Sequence, residues 1–460
     1  MTEQIRQKLS DSAAMRWTAL VIVAFTMMMG YFLTDVMSPL ENMLETQLHW
    51  TSSEYGFFSG SYGYINVFLL MLFFGGIILD KMGVRFTGVM SSGLMVIGAF
   101  IKFYAISSIS PDATMKLAII GYAEGIKVQV LVASLGFAIF GVGCEIAGIT
   151  VSKIIAKWFG GHEMALAMGF QVALARLGTA GALAISPKIA SSFSLSTPVL
   201  FGAICLVAGF LSFCIYCMMD KKLEASTEKG ETEKGDDENF KFKDLGVIFG
   251  NPGFWLVTIL CLLFYSGVFP FLKFATKLMI YKYGVAESVA GYIPAILPFG
   301  TIILTPLFGT LYDRIGKGAT LMIIGSLMLT GVHILFALPI LGTSWFAIIL
   351  MVLLGISFSL VPSAMWPSVP KIIPMKQLGS AYAIIFYIQN IGLALVPVLI
   401  GSVIEHYSKQ TLPNGSVTYD FTIPMSIFAV FGITAVIIAV SLRILDSKKH
   451  YGLEQANIKK

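Results

Sequence analysis

A bilayer's hydrocarbon core takes about 20 apolar residues to cross as a helix, and runs of that length recur along nearly the whole chain. They begin near Trp17, Tyr55, Phe86, Val128, His162, Thr197, Gly253, Val289, Ala319, Ser344, Ser380 and Phe421. Lipid offers no water to backbone N–H and C=O groups, so each run must satisfy its own hydrogen bonds as an α-helix. The expected fold class is therefore an all-α membrane protein with twelve transmembrane helices. Charge supports this, since only 12% of the 460 residues are charged, against about 25% in an ordinary soluble chain.

Lysine and arginine concentrate at both ends and in alternate loops such as 81–85 and 153–157. That asymmetry predicts cytoplasmic termini. It also explains the net charge of +5 without nucleic acid as a partner. Cys144, Cys205, Cys214, Cys217 and Cys261 all fall inside apolar runs and read as small core residues. The polar first residues, followed by a run long enough to span, predict no cleaved signal peptide. From Lys221 to Leu245 the chain is charged and nearly free of aliphatic residues, so it cannot bury a core. The expected organisation is a six-helix half over 1–220, a cytoplasmic linker over 221–245, and a second six-helix half over 246–460.

Two charges stand deep in apolar surroundings. Glu145 and Arg176 flank the Gly160-Gly161 turn at about 15 to 16 residues on either side, which places both roughly 23 Å up a helical hairpin. A lone charge there costs at least ~2.5 kcal/mol, so each should face a bundle interior or a watery cavity. Pairing with each other is the bland alternative. Asp35 closes the first run, where it either attracts a cation or caps the Ser38-Pro39 segment. Lys273 reads as a side chain snorkelling to the outer interface. Tyr62, Tyr64, Asn66, Gln171, Gln389 and Asn390 are polar groups in apolar runs, whose usual role is bonding between helices. Gln389 and Asn390 are adjacent, so at most one faces a central cavity squarely. Tyr265, Phe269, Trp366 and Tyr387 are candidate aromatic walls, and Pro367 puts a helix irregularity beside Trp366.

The chain repeats itself. Gly76-Ile-Ile-Leu-Asp80-Lys81-Met-Gly83-Val-Arg85 follows the second run, and Gly309-Thr-Leu-Tyr-Asp313-Arg314-Ile-Gly316-Lys317 follows the eighth, 233 residues later. Each copy is a tight turn that holds an aspartate among bases where a helix leaves the membrane. Such contacts can form in one conformation and break in another, so these residues are the candidate conformational gate.

The duplicated signature and the twelve runs resemble the major facilitator superfamily over the whole chain, with two six-helix pseudo-repeats and alternating access as what that implies. Finer matches are Lys157-Trp-Phe-Gly-Gly-His-Glu-Met-Ala-Leu-Ala-Met-Gly169, Ala173-Leu-Ala-Arg-Leu-Gly178, Ala364-Met-Trp-Pro-Ser-Val369 and Ile388-Gln-Asn-Ile-Gly-Leu-Ala394. They are similar to the branch containing the lysosomal dipeptide uniporter and its prokaryotic relatives. The resemblance implies a dipeptide substrate whose ends are held by residues matching Glu145 and Arg176, with Asp35 matching a further acid. Asp35, Glu145, Arg176, Tyr265, Trp366, Gln389 and Asn390 form the candidate substrate site. The chemistry agrees, because a carboxylate suits a peptide ammonium and a guanidinium fork suits a peptide carboxylate.

No P-loop, HExxH or Cys/His metal cluster occurs, so neither an enzyme, a metal nor a cofactor is expected. Expected partners are a dipeptide and the lipid bilayer, and no feature indicates an accessory subunit. The first reading is uniport of small peptides, with a preference for cationic ones left open. The alternatives are proton-coupled transport of a small organic acid or amine, with Glu145 or Asp35 carrying the proton, and a non-transporting sensor or assembly partner. Without an acidic dileucine near the start, a plasma (bacterial inner) membrane is expected rather than the lysosome.

Overall fold

Helices follow the apolar runs in the computed structural model, which describes residues 10, 12–117, 122–160, 162–226, 245–340, 342–374 and 377–457. The long ones are α1 (Ala13–Asp35), α3 (Ser52–Phe68), α4 (Met71–Ser108), α5 (Val128–Phe159), α6 (Met164–Ser192) and α7 (Thr197–Ser226). After them come α9 (Pro252–Tyr283), α11 (Tyr292–Ile315), α12 (Gly318–Ala337), α13 (Ser344–Ile372), α14 (Leu378–Val403) and α15 (Thr422–Lys449). Short helices α2 (Glu41–Leu48), α8 (Leu245–Phe249) and α10 (Glu287–Ala290) lie between them. So do two hairpins, β1 (Thr114–Leu117) with β2 (Tyr122–Lys127), and β3 (Lys409–Thr411) with β4 (Val417–Tyr419).

Eleven helical stretches among the described residues are long and apolar enough to cross a membrane. The second crossing is the twelfth, and it is broken. α3 has 17 residues, Leu70 takes φ 53°, and the helix resumes at Met71. Within α4 the chain turns again at Gly83 (φ 75°, ψ 172°), so Met71–Met82 completes the second span and Val84–Ser108 forms the third. That left-handed turn is why a glycine stands at the signature position. α7 continues to Ser226, six residues into the stretch expected to be a linker, and 227–244 lie outside the described residues.

On the terminal side, where α1 starts and α15 ends, the two signature copies are held differently. In the first, Asp80 accepts from Lys153 of α5 at 2.6 Å, while Arg85 reaches Glu224 at 2.7 Å and Asp220 at 3.5 Å on α7. Lys157 joins the same two carboxylates at 3.0 and 2.8 Å. In the second copy residues 452–457 take the place of these acids. Asn457 donates from Nδ2 to Asp313 at 2.8 Å, and Lys371 donates to the carbonyls of Gly452 and Gln455, both at 3.1 Å. A Cβ on Gly316 would meet Ala456 N at 2.5 Å. Gly76 and Gly309 face open space, and Lys81 and Arg314 are exposed.

The first six spans meet the last six along a seam. Helices in lipid associate through close backbone packing, which favours small residues at contacts. Gly56, Gly60 and Gly63 of α3 accordingly press on Pro397, Ala394 and Gly401 of α14. At Gly60 a Cβ would lie 2.2 Å from the Ala394 carbonyl oxygen.

Candidate functional site

Glu145 and Arg176 do not pair with each other. Glu145, on α5, accepts from Tyr62 Oη of α3 at 2.8 Å through Oε1. Its Oε2 accepts from no described residue. The approach of α3 and α5 that allows this bond depends on Gly141, one turn before Glu145. A Cβ there would sit 2.1 Å from the Tyr62 carbonyl oxygen.

Arg176, on α6, reaches across the seam instead. Its guanidinium carbon lies 5.5 Å from the ring centroid of Phe269 on α9 and 5.2 Å from that of Phe358 on α13. Both distances suit cation–π attraction, while the N–H edge of the fork stays free to bind an anion. No described residue accepts a hydrogen bond from it. Tyr31 of α1 lies within electrostatic range of Glu145, Arg176 and Asp35, and Tyr265 within range of Arg176 and Tyr31. The acid and the base therefore both lie near Tyr31.

The aromatic wall is assembled on the side of the last six spans. Trp366 donates from Nε1 to Tyr265 Oη at 3.0 Å and stacks on Phe386 at 4.8 Å. Tyr265, Phe269 and Phe358 contact one another edge-on or tilted at 5.2 to 5.7 Å. α13 runs unbroken through Pro362, Pro367 and Pro370. Pro370 has no N–H to give to the Trp366 carbonyl four residues back. Tyr382 Oη donates to that carbonyl at 3.2 Å in its place. The helix continues through Pro367, where an irregularity was expected, and the Tyr382 bond fixes the Trp366 backbone.

Other candidates are engaged in bonds of their own. Gln389 is buried and its Oε1 accepts from Cys261 Sγ at 3.3 Å. Asn390 is buried and donates to its own helix at the Phe386 carbonyl, 2.9 Å away. Tyr387 donates to the Val67 carbonyl at 3.2 Å across the seam. These three bond as packing groups in this conformation.

Asp35 neither caps the next segment nor stands free. Lys273 of α9 donates to its Oδ1 at 2.7 Å and to the Thr34 carbonyl at 2.9 Å. Lys273 is therefore a cross-seam partner and not a snorkelling side chain, because a carboxylate at its own depth satisfies it better than the interface would. One turn further along α9, Lys277 is fully buried and bonds Glu45 Oε2 at 2.6 Å and Glu41 Oε1 at 3.2 Å. Lys409 bonds Glu45 at 2.8 Å and Glu405 at 3.2 Å. Burial works against the Lys409 charge, yet the bonds to Glu45 and Glu405 hold its ammonium above the usual lysine range. Asn42 donates to Glu287 at 2.5 Å and accepts from Tyr281 at 2.8 Å. The cross-seam bonds of Lys273, Lys277, Ser52 and Asn42 lie toward the side opposite the termini, and that of Tyr387 lies nearer the middle of the spans.

Sequence reasoning passed over Lys277, Glu41 and Lys102. Lys102 of α4 is 1% exposed, donates to the Leu33 carbonyl at 2.7 Å and lies over Phe137 and Phe140. Lysine inside an apolar run was the available signal, as it was for Arg176.

The profile of the Major Facilitator Superfamily matches residues 20–397 and again 274–457. The chain belongs to the Major Facilitator Superfamily. Its second match, starting inside the first, fits the internal repeat. Among curated proteins, the chain is 26% identical over 403 residues to a Bos taurus protein named lysosomal dipeptide transporter MFSD1, covering 85% of this chain and 80% of that one. The Mus musculus protein of the same name is 27% identical, covering 85% and 81%. Solved structures share the superfamily fold at lower identity. A mutant of the nucleoside transporter NupG superposes with TM-score 0.68 at 16% identity, covering 93% of this chain and 99% of that chain. A bacterial homologue of the human lysosomal transporter Spinster, in an inward-facing and occupied conformation, gives 0.66 at 13%, covering 97% and 100%. As a member of the superfamily, the chain is a multi-pass membrane transporter and not an enzyme.

Proposed function

We propose that the chain carries dipeptides across the membrane by alternating access, gripping the peptide ammonium with Glu145 and its carboxylate with Arg176. The observation that carries this reading is the unpaired state of the two charges. Each is held from behind, Glu145 by Tyr62 and Arg176 by two rings, with its binding edge left open. A zwitterion suits such a site because it satisfies both groups at once, where a simple acid or amine leaves one deep charge without a partner. The names of the curated relatives support a peptide as that zwitterion. Dipeptide ends lie roughly 7 Å apart when extended, and Tyr265, Phe269, Phe358 and Trp366 supply apolar surface for the side chains.

In this reading 1–220 and 246–460 rock against each other around the site. The signature residues Gly76, Asp80, Lys81, Gly83, Arg85, Gly309, Asp313, Arg314 and Gly316 form the gate on the terminal side. Polar bonds across the seam on the opposite side support reading this conformation as the one open toward the termini. Asp35, already neutralised by Lys273, serves as a latch here and not as a lure for cations. The basic residues of the terminal side support cytoplasmic termini, and a plasma membrane belongs to the same reading.

Thermal stabilisation by a ligand panel tests it, since a ligand that binds only the native state raises its melting temperature by mass action. Free dipeptides are expected to stabilise the wild type, while N-acetylated or C-amidated ones and free amino acids do so weakly. Glu145→Gln and Arg176→Ala should abolish the response. No shift with any dipeptide, in variants that stay folded, would assign the pair to another solute.

A further inference from the structure

The seam opposite the termini contains an unbalanced cluster. Three carboxylates, Glu41, Glu45 and Glu405, share two ammonium groups, Lys277 and Lys409. Lys277 spends its three N–H bonds on Glu45 Oε2 at 2.6 Å, Ser52 Oγ at 2.8 Å and Glu41 Oε1 at 3.2 Å. Its ammonium also lies 4.0 Å from the centroid of the Tyr419 ring. Glu45 is further served by Lys409 and by the Tyr419 hydroxyl. Glu405 accepts from Lys409 and from the Ser52 backbone N–H at 2.9 Å. Glu41 gets the remainder, the longest of the Lys277 bonds and one from Ser52 Oγ at 3.2 Å, both on Oε1. Its Oε2 is buried with no partner, in a residue 2% exposed.

Among the described residues, the neighbouring groups bring no further cation. Tyr281 faces the cluster from α9 and is bonded to Asn42, Glu287 is bonded to Asn42 as well, and Tyr55 of α3 donates to the Lys273 carbonyl. The nearby Asp35–Lys273 pair is already balanced. A surplus negative charge with a buried orphan oxygen is costly, and protonation removes both defects by making the charge count even.

We propose that Glu41 is a proton-binding site built into this seam: closing the seam takes up one proton on Glu41, and opening it releases that proton to the opposite side. The sign follows from linkage, because the conformation that binds the extra proton gains population as pH falls. When the seam opens, Lys277 departs with α9, water reaches Glu41, and the carboxylate ionises in its ordinary range. The site does not depend on which solute is carried.

The test is the pH dependence of seam closure, read as the distance between spin labels on Gln47 and Ser288. Both positions are exposed on opposite sides of the seam, and the five native cysteines are replaced. In purified protein the closed-to-open ratio should rise as pH falls, by up to about tenfold per pH unit, the limit for one proton. Glu41→Gln, a mimic of the protonated acid, should be closed across the range with a flattened profile. Glu287→Gln, which changes a carboxylate of the same seam outside the lysine cluster, should keep the wild-type profile. A flat wild-type profile, or Glu41→Gln titrating as the wild type does, would overturn the proposal. A Glu287→Gln profile flattened as much as that of Glu41→Gln would overturn it too. Label distances need only the folded chain, so the result stands apart from the dipeptide assignment.

Discussion

Tyr62 decides how Glu145 is presented. Replacing it with phenylalanine deletes one hydrogen bond to a charged group, worth about 1.5 kcal/mol, and is expected to weaken dipeptide binding roughly tenfold in calorimetric titration. The packing should survive, because the ring keeps its contacts with Phe137 and Phe140. Phe269→Leu and Phe358→Leu each remove a ring beneath Arg176. Each is expected to cost about 0.5–1 kcal/mol of affinity for dipeptides with a free carboxylate, and little for C-amidated ones, in the same titration. Glu145 and Arg176 were legible in sequence because lipid makes any deep charge conspicuous. Of their holders, Tyr62 and Phe269 were legible as an interhelix polar group and an aromatic wall, but Phe358 was not, since it is one aromatic among many and meets Arg176 only through tertiary structure. Lys277 was missed for a related reason. Near the end of an apolar run it reads as a snorkelling side chain, and its partner Glu41 stands 236 residues earlier.

At the scale of helices, α3 and α14 fit together through glycines, and the rocking proposed above must break that fit. Gly60→Leu puts a side chain where even a Cβ would stand 2.2 Å from the Ala394 oxygen. The variant should fold, with each group of spans keeping its own packing, and its seam-label distance should lengthen to that of the open form. Removing one partner of the Asp35–Lys273 pair acts in the same direction. Asp35→Asn leaves Lys273 without a counter-charge, which should disfavour this conformation by about 3 kcal/mol. The exchange Asp35→Lys with Lys273→Asp should recover part of the loss in the same distance measurement. Helix positions followed from hydropathy, but the break at Leu69-Leu70 did not, because two leucines interrupt neither the apolar run nor its period. The unbroken course of α13 was equally hidden, since the Tyr382 bond that compensates Pro370 comes from another helix.

At the scale of the whole molecule, the proposed site stands between a polar seam on one side and duplicated signature turns on the other. The duplication and the superfamily fold were readable from the 233-residue repeat. The unequal ways the two copies are held were not, because Asp220 and Glu224 serve one copy while residues 452–457 serve the other. The central claim is that a dipeptide, held at both ends, crosses with the turning of this site. Solute counterflow addresses it most directly, with purified protein in liposomes preloaded with unlabelled dipeptide and given a trace of labelled dipeptide outside. The account predicts transient accumulation of label in the wild type, none in Arg176→Ala or Glu145→Gln, and none when the preloaded peptide is capped at either end. Accumulation that persists in both variants, or that capped peptides drive as well as free ones, would contradict it.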